Sequence, residues 1–329
     1  MTRPRIHVTR PIAEEALLRL RDSADVTTGP TDRESSRAEL LDLVRPCDGL
    51  LVVGHPKVDG DLMDASPKLR MIANFGVGVD HIDVAAATRR GIWVSNTAGS
   101  LTETTAELGW ALILAATRRV AEGDRLVRAG QWKGFGPFFF LGTELPGKIL
   151  GVAGAGRIGQ AVARRASAFG MSTIYWSREP KKDFEAATGA SYRQRDALLQ
   201  ESDILVLTVS LTAETRHLIG DRELGLMKPT SYLVNIARGP VVDEAALARA
   251  LLDHKIAGAG LDVYEKEPEI HPDLLRCPSA VLVPHIGSAT IETRRRMSLL
   301  AAENCLAGVQ GRMPPLVLNP ESPRGLQGG

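Results

Sequence analysis

A chain of 329 residues is long for one hydrophobic core, and its 44% apolar and 24% charged residues are those of an ordinary globular protein. Forty basic against 39 acidic side chains leave a charge of +1, which excludes the electrostatic footprint of a nucleic-acid or anionic-membrane binder. Cys47, Cys277 and Cys305 are scattered and form no CxxC pair, so neither a disulfide framework nor a metal site is expected. The opening MTRPRIHVTRP holds no signal-peptide core, and no apolar run nears the roughly 18 residues of a membrane span. A cytoplasmic protein with no membrane partner is the expectation.

From residue 5, β-rich runs alternate with helical patterns: RIHVT, EEALLRLR, DGLLVVG, LRMIANF and GIWVSN. That rhythm predicts βαβ units and a parallel sheet. Near residue 100 it gives way to one long helical stretch, LTETTAELGWALILAATRRVAEGDRLVRAGQW, read as a connector that opens a second unit. KILGVAG, STIYWS, DILVLTVS, SYLVNIA, IAGAGLDV and AVLVPH then form a second strand series, rich in the Val, Ile and Leu of strands buried on both faces. After the last helical pattern, GRMPPLVLNPESPRGLQGG reads as an extended, partly disordered tail. Two α/β halves are expected, with a boundary near residue 100 and another near 288.

Gly154, Gly156 and Gly159 form GxGxxG between the strand ILGVA and a helix that opens at Arg157 and Ile158. The first glycine allows the tight turn, the second lets backbone approach a pyrophosphate, and the third lets helix and strand pack closely. The helix N-terminus adds unpaired N–H groups and a positive dipole end. About 20 residues on, where a carboxylate normally holds the ribose 2′-OH, stand Ser177 and Arg178. A hydroxyl and a guanidinium fork suit a 2′-phosphate, with Lys181 and Lys182 adding positive field, so NADPH is favoured over NADH. The competing reading makes Arg178 a solvated surface residue of an enzyme that takes either cofactor.

Three further stretches end predicted strands: NIARGPVVDE, LDVYEKEP and VPHIGSAT. Ligands of open parallel sheets bind beyond the carboxyl ends of the strands, so Arg238, Glu267 and His285 are expected to converge. Reducing a 2-oxo acid needs a proton donor active near neutral pH, a carboxylate to orient it, and a cation for the substrate carboxylate. These three residue types match those needs. The bland alternatives are an Arg238 paired with Asp243 or Glu244, and a solvated Glu267. The remaining histidines, His217 among them, are read as structural. The run WKGFGPFFFLG concentrates Trp132, Phe135, Phe138, Phe139 and Phe140, and reads either as a partner surface or lid or as a cover for the core.

Together with NFGVGVDHIDVAAATRRGIWVSNT, TAELGWALILAATRR, GDRLVRAGQWKG and GAGRIGQAVARRA, these stretches resemble the D-isomer-specific 2-hydroxyacid dehydrogenases over nearly the whole chain. Within that family the chain is most similar to glyoxylate and hydroxypyruvate reductases. The resemblance implies two doubly wound parallel-sheet domains: a Rossmann cofactor domain, residues 100–288, inserted into a flavodoxin-like substrate domain, residues 1–99 plus 289–329. It also implies His285 as acid/base, Glu267 as its partner and Arg238 as substrate clamp. Val77 and Gly78 would give backbone N–H groups to the substrate carboxylate, Thr105, Ile236, Asp262 and Gly287 would line the cofactor, and the aromatic run would form part of a homodimer arm. Ser210 departs from the family, whose members usually have proline there, and a looser loop is expected. Other activities remain open: another 2-hydroxyacid dehydrogenase, such as one acting on phosphoglycerate, or a cofactor-sensing scaffold like the family's corepressor relatives.

Overall fold

A computed structural model describes residues 3–322. Residues 3–101 with 288–322 make one compact unit, and residues 102–287 make another.

The first unit is built on five parallel strands: β1 (Arg5–Val8), β2 (Asp25–Thr28), β3 (Gly49–Val52), β4 (Met71–Asn74) and β5 (Trp93–Ser95). They lie in the order β2-β1-β3-β4-β5, the flavodoxin-like arrangement. Alternate side chains feed two cores, as the two-residue strand period requires. Leu51, Met71, Ala73 and Trp93 pack toward helices Glu14–Ser23 and Ile291–Val309, whereas Leu50, Val52, Ile72 and Val94 pack toward helices Arg37–Val44, Gly60–Asp64 and Val84–Arg89. The sheet is therefore wound on both faces.

The second unit holds β6 (Ile149–Ala153), β7 (Ser172–Trp176), β8 (Ser191–Tyr192), β9 (Ile204–Leu207), β10 (Tyr232–Asn235), β11 (Gly258–Leu261) and β12 (Ala280–Leu282). Their order is β12-β11-β10-β9-β6-β7-β8, all parallel. This is the Rossmann order with one added strand. Strand order reverses between β6 and β9, and that switch point opens the crevice where such sheets bind ligands. Among the described residues, no helix is long and apolar enough to cross a membrane.

Three sequence expectations change. The long helical stretch is two helices, Thr102–Thr117 and Val120–Arg128, because Arg119 turns left-handed at φ 57° and the Thr117 carbonyl accepts from Thr143 N instead. The tail is not loose over its described part. Val317 bridges Ser95, Leu318 N donates to Val94 O, and the buried Asn319 side chain accepts from Val94 N at 2.8 Å and donates to Ile92 O and Thr88 Oγ1, both at 2.9 Å. Residues 323–329 lie outside the described residues. Finally, the loop at Ser210 is fastened: Thr215 Oγ1 donates to the Ser210 carbonyl at 2.7 Å, a contact that proline at 210 would also accept.

Two outcomes are expected. Asn319→Ala leaves a buried N–H and a buried carbonyl unpaired and should lower unfolding free energy by about 3 kcal/mol in denaturant titrations. Unchanged stability would contradict the tail's anchoring. His7, fully buried in β1, has its pKa pushed down by burial from 6.5 to about 4. The unfolded chain takes up that proton first, so stability present above pH 6.5 is lost as pH falls toward 4, by about 3 kcal/mol. A His7→Gln variant should lose about 3 kcal/mol less over that window. Equal losses would contradict the buried neutral ring.

Candidate active site

The three glycines after β6 do three different jobs. Gly154 sits at φ 111°, and a Cβ there would lie 2.8 Å from the Thr208 carbonyl carbon and Val209 N, so the ends of β6 and β9 press together at the switch point. A Cβ on Gly156 would meet nothing within 4 Å, which leaves its outer side open. One on Gly159 would come 2.1 Å from Gly154 O, so the helix Arg157–Ala166 can start against the turn only with glycine there.

Outside this turn is a hollow of about 460 Å3 whose lining includes Ala155, Gly156, Arg157, Lys181 and Lys182. Lys181 Nζ reaches the Ala155 carbonyl at 3.4 Å. Three cations, a helix N-terminus and a bare Gly156 fit a dinucleotide's phosphates, with Asp183 the one acid on the lining. Just after β7, Ser177 is nearly buried and its hydroxyl donates to Glu179 O at 2.6 Å. The Ser177 proton is therefore already engaged. Arg178 is exposed and, among the described residues, makes no ion pair; its field adds to the Thr212 hydrogen bond that chiefly holds the Glu214 carboxyl low.

At the ends of β11 and β12 a second constellation forms. His285 Nδ1 lies 2.7 Å from Glu267 Oε2, and Glu267 Oε1 accepts from Tyr264 N at 3.1 Å. His285 itself is left-handed, φ 51°, a conformation that persists in a non-glycine residue only where its surroundings impose it. Asp262 imposes it. Its two oxygens accept from Ile286 N at 2.6 Å and Gly287 N at 2.9 Å, the residues directly after the histidine. Burial pushes the Asp262 carboxyl above its ordinary range, against the pull of those N–H groups and of His285. A Cβ on Gly287 would meet Asp262 Oδ2 at 2.9 Å and Thr105 Cγ2 at 3.4 Å, so Thr105, Asp262 and Gly287 share one spot.

Arg238 follows β10 on a turn clamped by Asn235, whose side chain accepts from Ala237 N at 3.0 Å and donates to Arg238 O at 2.9 Å. The next residue brings this turn to the acid–base loop. A Cβ on Gly239 would fall 1.8 Å from the Tyr264 carbonyl, so the backbones of Arg238–Gly239 and Tyr264–Glu265 touch. Of the carboxylates on the next helix start, Asp243 caps Ala246 N at 2.9 Å, and Glu244 accepts from Glu265 N and His271 N. Ile236 departs from expectation. Its side chain is buried in the core against Gly109.

In the first unit, Val77 and Gly78 lie on the turn after β4. The carbonyls of Gly76, Val77 and Gly78 all accept from Asn74, Asn96 or Thr97. Among the described residues, the N–H groups of Val77 and Gly78 have no acceptor. A turn with its carbonyls engaged and N–H groups left to donate is suited to an anion.

Some features escaped the sequence reading. Asp262 appeared only as a cofactor contact, whereas it also anchors the histidine loop. His217, read as structural, binds Glu265 at 2.6 Å. The aromatic run does not cover the core: Phe135 is 93% and Phe138 86% exposed, with Trp132 and Phe139 also outward.

The family description "D-isomer specific 2-hydroxyacid dehydrogenase, NAD binding domain" matches residues 110–287. The chain is 49% identical to a glyoxylate reductase of Aeropyrum pernix, covering 98% of this chain and 97% of that one. It is 47% identical to a glyoxylate reductase of Thermococcus gammatolerans, covering 97% of each. Among solved structures, it aligns with the NADPH-dependent glyoxylate/hydroxypyruvate reductase of Sinorhizobium meliloti in complex with NADP and malonate, at 36% identity and a TM-score of 0.86 over 98% of both chains. With a parallel-sheet cofactor unit, a glycine turn open to phosphates and a histidine–carboxylate pair at its strand ends, this nicotinamide-binding chain belongs to the D-isomer specific 2-hydroxyacid dehydrogenase family.

Proposed function

We propose that this protein reduces glyoxylate to glycolate, or the closely related hydroxypyruvate to its D-2-hydroxy acid, with NADPH preferred over NADH. The observation that carries the chemistry is the 2.7 Å contact between His285 Nδ1 and Glu267. A carboxylate on Nδ1 holds the imidazolium and leaves proton transfer to Nε2. When bound, the nicotinamide supplies the hydride to the carbonyl carbon. His285 gives its proton to the carbonyl oxygen, so hydride and proton together make the alcohol. Arg238 binds the substrate carboxylate through its planar fork, and the Val77–Gly78 turn, with its two N–H groups left to donate, suits the same kind of anion. Relatives named glyoxylate reductase at 46–49% identity favour the shortest 2-oxo acids over phosphoglycerate.

NADPH is favoured because the two residues directly after β7, Ser177 and Arg178, are not acidic. A carboxylate at 177 would repel a 2′-phosphate, whereas Arg178 and Lys182 attract it. With the Ser177 proton engaged by Glu179, the guanidinium carries most of that preference. The exposed Trp132, Phe135, Phe138 and Phe139 favour a homodimer, since an apolar surface of that kind is ordinarily covered by a partner. A cytoplasmic location fits three unpaired cysteines.

The test is a panel of 2-oxo acids at neutral pH with NADPH and NADH in parallel. Rapid NADPH oxidation with glyoxylate or hydroxypyruvate is expected. Tight cofactor binding without turnover on any acid would point instead to a sensing scaffold. Arg178→Ala should weaken NADPH use by about tenfold and leave NADH use unchanged, the lower end for a charged hydrogen bond because the residue is exposed. Equal loss with both cofactors would assign Arg178 to the surface.

A further inference from the structure

The loop that carries Glu267 is tied down at a second point, two residues earlier. Glu265 is mostly buried: its Oε1 accepts from His217 Nε2 at 2.6 Å, with Arg216 Nη2 at 4.0 Å, and its Oε2 accepts from Glu244 N at 3.2 Å. The Glu265 N–H donates back to Glu244 Oε1. His217, left-handed at φ 49°, is placed by its own N–H, which donates to Pro240 O at 2.8 Å on the turn that presents Arg238. Gly239 presses that turn onto Tyr264–Glu265, and Tyr264 N binds Glu267. One path of hydrogen bonds and one peptide link therefore runs from His217 through Glu265 and Tyr264 to the Glu267–His285 pair, all within the cofactor unit.

We propose that His217 and Glu265 are positioning residues for proton transfer, an inference that rests on reading Glu267 and His285 as the acid–base pair. A partly exposed polar pair adds little to global stability. What it does is fix one end of a short loop whose other end must hold a hydrogen bond to within a fraction of an ångström. Misplacement on the order of 1 Å costs as much as 10²-fold in rate. His217 cannot be a mere surface residue on this reading, nor does it touch the reacting atoms.

The test uses the full chain. His217→Ala should lower kcat by about tenfold, with the KM for NADPH and the thermal midpoint unchanged. His217→Gln keeps a donor to Glu265 and should recover most of the loss. In a Glu267→Gln background, His217→Ala should add less than about twofold, because both changes act on one pair. Three results would overturn the proposal: an unchanged kcat in His217→Ala, no rescue by glutamine, or full additivity with Glu267→Gln. A lowered thermal midpoint with normal kcat would likewise assign the pair to folding alone. Normal turnover in Glu267→Gln by itself would remove the acid–base pair, and with it the reading beneath this inference.

Discussion

The hydrogen bond between His285 and Glu267 joins two loops that leave neighbouring strands, and it is only as good as the anchoring of each. On the histidine side the anchor is Asp262, a buried carboxylate that holds the two N–H groups after His285 and keeps a left-handed residue in place. On the glutamate side it is backbone contact: Gly239 against Tyr264–Glu265, Tyr264 Oη to the Val283 carbonyl at 3.0 Å, and Tyr264 N to the carboxylate itself. The parallel sheet sets these loops side by side. Polar groups at the strand ends then convert proximity into a fixed geometry, which is what a proton donor requires.

Cofactor recognition follows a different logic, based on what is missing. Gly156 has no neighbour where a side chain would be, and the strand end at 177 lacks a carboxylate. Both absences let phosphate approach, and the cations around the hollow make that approach favourable. In the proposed function, chemistry and cofactor choice fall to separate parts of one sheet: β10 to β12 for the proton and the substrate anion, β6 and β7 for the dinucleotide.

Much of this is legible in the sequence because buried parallel strands write themselves as unbroken Val, Ile and Leu runs. β9 (ILVL) is of that kind, β3 (GLLV) nearly so, and both stand out. β2 and β8, which carry no such run, lie at sheet edges. β2 reads DVTT and is largely exposed, so it carries no apolar signal at all. The tail misled for a related reason: proline and glycine suggested looseness, but Asn319 supplies the missing backbone partners from a single side chain. In the site, the residue types proposed for the chemistry were visible from their motifs. The residues that hold them were not, because Asp262, Glu244 and Glu265 act on backbone N–H groups whose positions no local pattern reveals. Ile236 shows the converse, a motif residue whose side chain belongs to the core.

The account stands on His285 as the proton donor. Its most direct test is His285→Ala, followed by steady-state reduction of glyoxylate with NADPH and by NADPH binding without substrate. Turnover should fall by roughly 10²- to 10⁴-fold, the range for loss of a general acid, while NADPH affinity stays as it was. Near-normal turnover in that variant would contradict the mechanism and leave the Glu267–His285 contact a structural one.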